Sequence, residues 1–175
     1  MKKISLFFTI LFFCGADVFA QTNVATVIQQ IATGKGEVTK AEYERFWQSI
    51  GVTSRAEKAK MVESMRSGFL LTQEYQKEVW VCVERAWNTR SAVKCEKAQK
   101  KMEAMKKEMN KDQISVVENL NQNSQRMIQA AAKHEDFQIA SGATPIKLNV
   151  ENIRAIRESL ERMLKRLEQV LRVDY

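Results

Sequence analysis

Residues 153–170 carry the pattern that most limits what this chain can become. Ile153, Ile156, Leu160, Met163, Leu167 and Val170 are spaced 3, 4, 3, 4 and 3 residues apart. Only an α-helix gathers such positions on one side, and the alternation is the seam of a helix that packs on other helices. Leu164 and Leu171 widen the seam to the stripe of a bundle helix. The other side carries Arg154, Arg157, Glu158, Glu161, Arg162, Lys165 and Glu168, with opposite charges at helix-pair spacing. The same rhythm recurs at Cys95, Ala98, Met102, Met105 and Met109. It is weaker through Val62, Met65, Phe69, Thr72, Gln76, Val79, Val83 and Ala86.

Chain punctuation agrees. One proline, Pro145, and six glycines serve 175 residues, and no alternating β-branched run marks a strand. Thr39 with Glu42, and Ser54 with Glu57, have the spacing of capping boxes, and Gly51 is placed to end the helix between them. Asn149 precedes the last helix, with Glu151 in its first turn. The expected elements are a short helix over 23–32, a loop over 33–38 and a helix over 39–50. A long helix over 55–87, bent at Gly68, and a longer one over 91–137, weakened at Asn110-Lys111-Asp112, follow. A loop over 139–148 leads to the last helix, 150–172. The fold class expected is all-α: an elongated three-helix bundle with a disulfide-stapled αα-hairpin and two short N-terminal helices. Residues 21–175 are expected to form one helical domain, divided into 21–52, the hairpin 54–137 and the amphipathic helix 150–173.

The staple is Cys82–Cys95, which flanks a turn expected at Asn88-Thr89. A disulfide requires Cα atoms about 4.4–6.8 Å apart. The small Ala86 and Ala92 allow that approach near a turn. Closing a ring of this size stabilises by about 3 kcal/mol in the chain-entropy account.

Disulfides belong to oxidising compartments, and the first twenty residues agree. Met1-Lys2-Lys3 is basic, residues 4–13 are apolar apart from Ser5 and Thr9, and Val18-Phe19-Ala20 suits a cleavage site before Gln21. These are the three regions of a secretory signal peptide. The apolar run is too short to span a bilayer. Phe12-Phe13 before Cys14 does not suit lipoprotein processing. Cleavage removes Lys2, Lys3, Asp17 and Cys14, which lowers the formal charge by one from +7 and leaves one even cysteine pair. The expected localisation is periplasmic or secreted.

Candidate chemistry is thin. Residues 34–42 are similar to the second half of an EF-hand calcium loop, with Gly36 at the turn and Glu42 in the last ligand slot. The first ligand positions would be Ile31, Thr33 and Lys35, none a carboxylate, so the segment reads as a loop before a capped helix. Met102, Met105 and Met109 could offer thioethers to Cu(I). They lie among Lys100, Lys101, Lys106 and Lys107 with no histidine nearby, and read as core. His134, the sole histidine, has no free cysteine to activate, and reads as part of a polar patch with Glu135 and Asp136. No nucleophile elbow or phosphate-binding glycine loop occurs. The expectation is therefore no enzyme, no metal, no cofactor and no small-molecule substrate.

What remains is surface. Lys94, Lys97, Lys100, Lys101, Lys106, Lys107 and Lys111 crowd one segment, interleaved with Glu96, Glu103 and Glu108. Such a face is either simply solvated or suited to an acidic partner: an acidic protein, a glycan or the anionic heads of a membrane surface. Trp80 and Trp87, seven apart, share a helix face near the cysteines; they read as core, or as a binding hot spot where exposed. The candidate interaction surface is Trp80, Trp87, Lys94, Lys97 and Lys101, and the last helix's seam could also support self-association. An exported, non-catalytic helical interaction protein of the bacterial cell envelope fits this set. Minor pilus subunits of conjugative type IV secretion systems are similar in general plan, without a shared motif. The alternatives are a periplasmic holdase-type chaperone, which normally begins with strands, and a secreted inhibitor or effector.

Overall fold

The computed structural model describes residues 27, 30, 31, 33–107, 109–138 and 145–174, with the backbone alone at residue 112. The signal peptide, its Ala20/Gln21 cleavage site and Cys14 lie outside the described residues, as do 139–144 of the expected loop. Of the expected first helix, residues 27, 30 and 31 are described and are helical. The described chain is mostly helical and contains no named strand; one isolated antiparallel bridge joins Phe137 and Ile146.

It forms two compact units. The first comprises the described residues up to Thr72 together with those from Arg162 onward; the second is Gln73–Glu161.

In the first unit, α1 (Lys40–Ser49) begins at the expected capping box: Thr39 Oγ1 accepts from Glu42 N–H, and the Glu42 carboxylate accepts from Thr39 N–H. It ends where Gly51 adopts φ +69°, a left-handed conformation that suits glycine. There Gly51 N–H donates to Gln48 O and Val52 N–H to Trp47 O, which closes the last turn. Helix α2 (Arg55–Met65) starts at the second box, Ser54 with Glu57. Tyr43, Phe46 and Trp47 are buried, with Trp47 edge-on to Phe46 at 5.1 Å between ring centroids. The Lys58 ammonium lies 4.9 Å over Tyr43 and 5.4 Å over Trp47. Met163, Leu164, Leu167, Val170 and Leu171 supply the other apolar side of this unit.

The bend expected at Gly68 takes a specific form. Residues Arg66–Leu70 make a π-helical turn, which admits an extra residue into the spiral without ending it. The Thr72 hydroxyl donates to Gly68 O at 3.0 Å. Helix α3 (Leu71–Thr89) then continues two residues past the expected end.

In the second unit the expected helix 91–137 is two helices, α4 (Glu96–Lys106) and α5 (Lys111–Lys133). The weakness foreseen at Asn110 is a full interruption. Asn110 Oδ1 accepts from Gln113 N–H and Gln113 Oε1 from Asn110 N–H, so the side chains supply what a continuing helix would have supplied. The start is later than expected because Arg90 is left-handed (φ 51°) and Cys95 is non-helical, placing the cysteine at the N-cap. The turn is thus centred beyond Asn88-Thr89. The end is earlier because His134 is left-handed (φ 59°), and Glu135 N–H closes back onto Ala130 O. Helix α6 (Val150–Val170) starts at Asn149, whose Oδ1 accepts from Asn152 N–H.

The second unit buries Val79, Trp80, Val83 and Ala86 of α3, Ala98, Met102 and Met105 of α4, Val117, Met127, Ile128 and Ala131 of α5, and Ile153. Tyr75 OH donates to Ser124 Oγ, which donates to Leu120 O, so both hydroxyls are satisfied in an apolar setting. Burial pushes the Tyr75 phenol above its ordinary pKa.

Candidate functional site

Cys82 lies on α3 and Cys95 at the N-cap of α4, with Cα atoms 6.0 Å apart, within the range a disulfide needs. Around this pair the five residues of the expected surface separate. Trp80 is 0% exposed, so its indole offers nothing to a partner and belongs to the core. Lys101 is paired with Glu74 of α3, both partly buried, which commits its charge internally. Lys94 and Lys97 are exposed, and Trp87 is half-buried.

Trp87 has a partner that no local pattern foretells. The His134 ring stacks on it at 3.9 Å and 8° between planes, and His134 Nε2 lies 2.9 Å from the Trp87 carbonyl. A carbonyl can only accept, so Nε2 carries the proton. The histidine thereby caps one of the last carbonyls of α3, which has no partner inside the helix. His134 is a structural contact here. Met102 and Met105 are buried and Met109 half-buried, the placement of core residues. Among the described residues no group of three or more histidine, cysteine or acidic side chains is placed to hold a metal ion. No described helix is long and apolar enough to cross a membrane.

The least expected construction lies in the first unit. Arg166 is 1% exposed. Its Nε donates to Ile31 O at 2.6 Å, and its Nη1 lies within donating distance of Lys35 O, Gly36 O and Glu37 O at 3.2, 2.8 and 3.1 Å. Nη2 donates to Glu42 Oε1 at 2.6 Å. The loop that is similar to half of a calcium site does converge its oxygens, and the cation at their centre is a guanidinium from α6. A buried charge persists only when paired and fully hydrogen-bonded, and this one is both. Gly34 makes room for it: a Cβ there would lie 2.6 Å from Arg166 Cζ. Gln169, one turn away, accepts from Val38 N–H and fastens the loop's far end. Glu42 serves twice. The Thr39 backbone amide, then the Thr39 hydroxyl and the Arg166 charge, hold its carboxyl below the ordinary value.

The signal for Arg166 was present but weak. It sits three residues after Met163 and four before Val170, at the edge of the apolar stripe, where a charge needs a buried partner.

In the second unit, Glu84 of α3 is held by both Arg154 and Arg157 of α6. Gln73 is 0% exposed, and neither atom of its amide has a hydrogen-bond partner among the described residues.

Compared with known proteins, the chain matches no family model, and no curated protein or solved structure matches it.

Proposed function

We propose that this chain is an exported, non-catalytic helical interaction protein of the bacterial cell envelope, an accessory subunit of a conjugation, type IV secretion or pilus apparatus. The observation that carries the reading is the Cys82–Cys95 pair at 6.0 Å, in a chain whose first twenty residues have the pattern of a signal peptide. Disulfides persist where the chain would be delivered by such a leader. The polar groups that could do chemistry are spent on structure: His134 on Trp87, Glu42 on Arg166, Glu84 on two arginines.

Within Gln73–Glu161 the reading includes a stapled hairpin. Cys82 meets Cys95, and Glu74, earlier on α3, meets Lys101, later on α4, the order that antiparallel helices require. Helix α5 joins α3 through Tyr75 and Ser124, and α6 joins α3 through Arg157 and Glu84, completing a bundle.

Crosslinking in intact cells, followed by mass spectrometry, tests the function. A discrete envelope partner is the expected result. Many unrelated unfolded outer-membrane proteins, with no discrete partner, would replace this reading with the holdase chaperone. Alkylation of exported protein before reduction tests the compartment: two labelled thiols would overturn the disulfide.

A further inference from the structure

The end of α3, the following loop and the start of α4 gather cations with little to neutralise them. Residues 85–100 contain Arg85, Arg90, Lys94, Lys97 and Lys100, and one acid, Glu96. All five cations are exposed, and none is paired with a carboxylate among the described residues. Four other cations of the same unit are matched: Lys101 with Glu74, Lys106 with Glu118, and Arg154 and Arg157 with Glu84. Glu84 is taken by those two arginines; Glu135 and Asp136 follow His134, which stacks on Trp87, and Asp136 accepts from Leu148 N–H.

The surface between these cations is polar and small: Asn88, Thr89, Ser91 and Ala92 are exposed. Val116, on α5, is the exposed large hydrophobic of the described chain. Stable protein interfaces centre on buried aromatic or aliphatic anchors in shaped pockets. Here Trp80 is wholly buried and one face of Trp87 is covered by His134. Charge without an apolar anchor suits a diffuse anionic layer, where lysine acts as a point charge and needs no matched geometry. The cystine adds a fixed base, so little ordering is lost on docking.

We infer that the cation cluster of residues 85–100 docks this protein on an anionic phospholipid surface. The inference names the partner class of the envelope reading above and rests on it.

Flotation of the oxidised, purified chain with vesicles tests it. Vesicles of equal parts phosphatidylglycerol and phosphatidylcholine should bind it, pure phosphatidylcholine vesicles should not, and added salt should release it. Each basic residue at such a surface is worth about fivefold, so Arg90→Ala/Lys94→Ala/Lys97→Ala should bind about a hundredfold more weakly. Circular dichroism of that variant checks that the helices remain. Lys40→Ala/Lys60→Ala/Lys165→Ala removes the same charge from other exposed positions and should bind within a few-fold of the parent. Equal loss in both variants would overturn the location, since net charge alone would then explain binding. Binding to soluble polyglutamate without binding to vesicles would overturn the lipid in favour of an acidic protein. Fractionation finding the chain in the cytoplasm would sink the envelope reading, whatever the vesicles do. Exported protein that ignores phosphatidylglycerol would sink only the docking surface.

Discussion

Arg166 and the Cys82–Cys95 pair each hold one compact unit closed, by different means. The arginine gathers four backbone carbonyls and one carboxylate from a loop 124–135 residues away in sequence. The cysteines join positions 13 residues apart. One closure depends on burying a charge among matched acceptors, and so fails when any member is removed. The other restricts the unfolded chain, and so fails only on reduction.

The largest effect is expected at Arg166. Arg166→Ala leaves Glu42 Oε1 and the loop carbonyls without their donor and should cost about 3–5 kcal/mol, read from urea unfolding followed by circular dichroism. A loss under about 1 kcal/mol would mean that the loop is held by its apolar neighbours instead. Next in size is Cys82→Ser/Cys95→Ser, expected to cost about 3 kcal/mol. Reductant should lower the parent's stability by a similar amount and leave the double variant unchanged. Gly34→Ala comes third: the new methyl meets the guanidinium, and overpacking of this kind costs about 1–3 kcal/mol. In Arg166→Ala the same glycine substitution should cost much less, because the clashing group is gone.

The smallest effect concerns pH. The Glu42 carboxyl is held below its ordinary value, first by the Thr39 amide and with Arg166 contributing. A depressed carboxylate contributes stability that is present above the unfolded value, about 4.3, and is lost as pH falls through the folded one. Carboxyl titration by NMR should place Glu42 below the ordinary glutamate value, and Arg166→Ala should narrow the gap without closing it. A Glu42 that titrates at the ordinary glutamate value would remove the charge from this account of the loop.

What could be read from the sequence was local. The boxes at Thr39 and Ser54, the stop at Gly51, the start at Asn149 and the disruption at Gly68 each depend on residues within a turn or two. The cysteine pair was legible because its chemistry leaves few alternatives. The start of α4 was missed because a helical pattern through Ser91 to Lys94 says nothing against a left-handed Arg90. Of the expected surface, Lys94 and Lys97 are exposed, while Trp80 and Lys101 are not available. Periodicity identifies a face but not which of its residues meets a neighbour. The Arg166 cage was hidden for the opposite reason: its members are individually ordinary, and only the long return of α6 brings them together.

That return has a consequence in time. Ile31 waits for a partner made 135 residues later, which is roughly ten seconds or more of synthesis at usual rates. Until then the carbonyls of its loop have no guanidinium to receive. Both cysteines of the other closure, by contrast, are present once thirteen more residues follow Cys82. A chain assembled in this order completes the contacts of its first unit only when nearly all of it has been made.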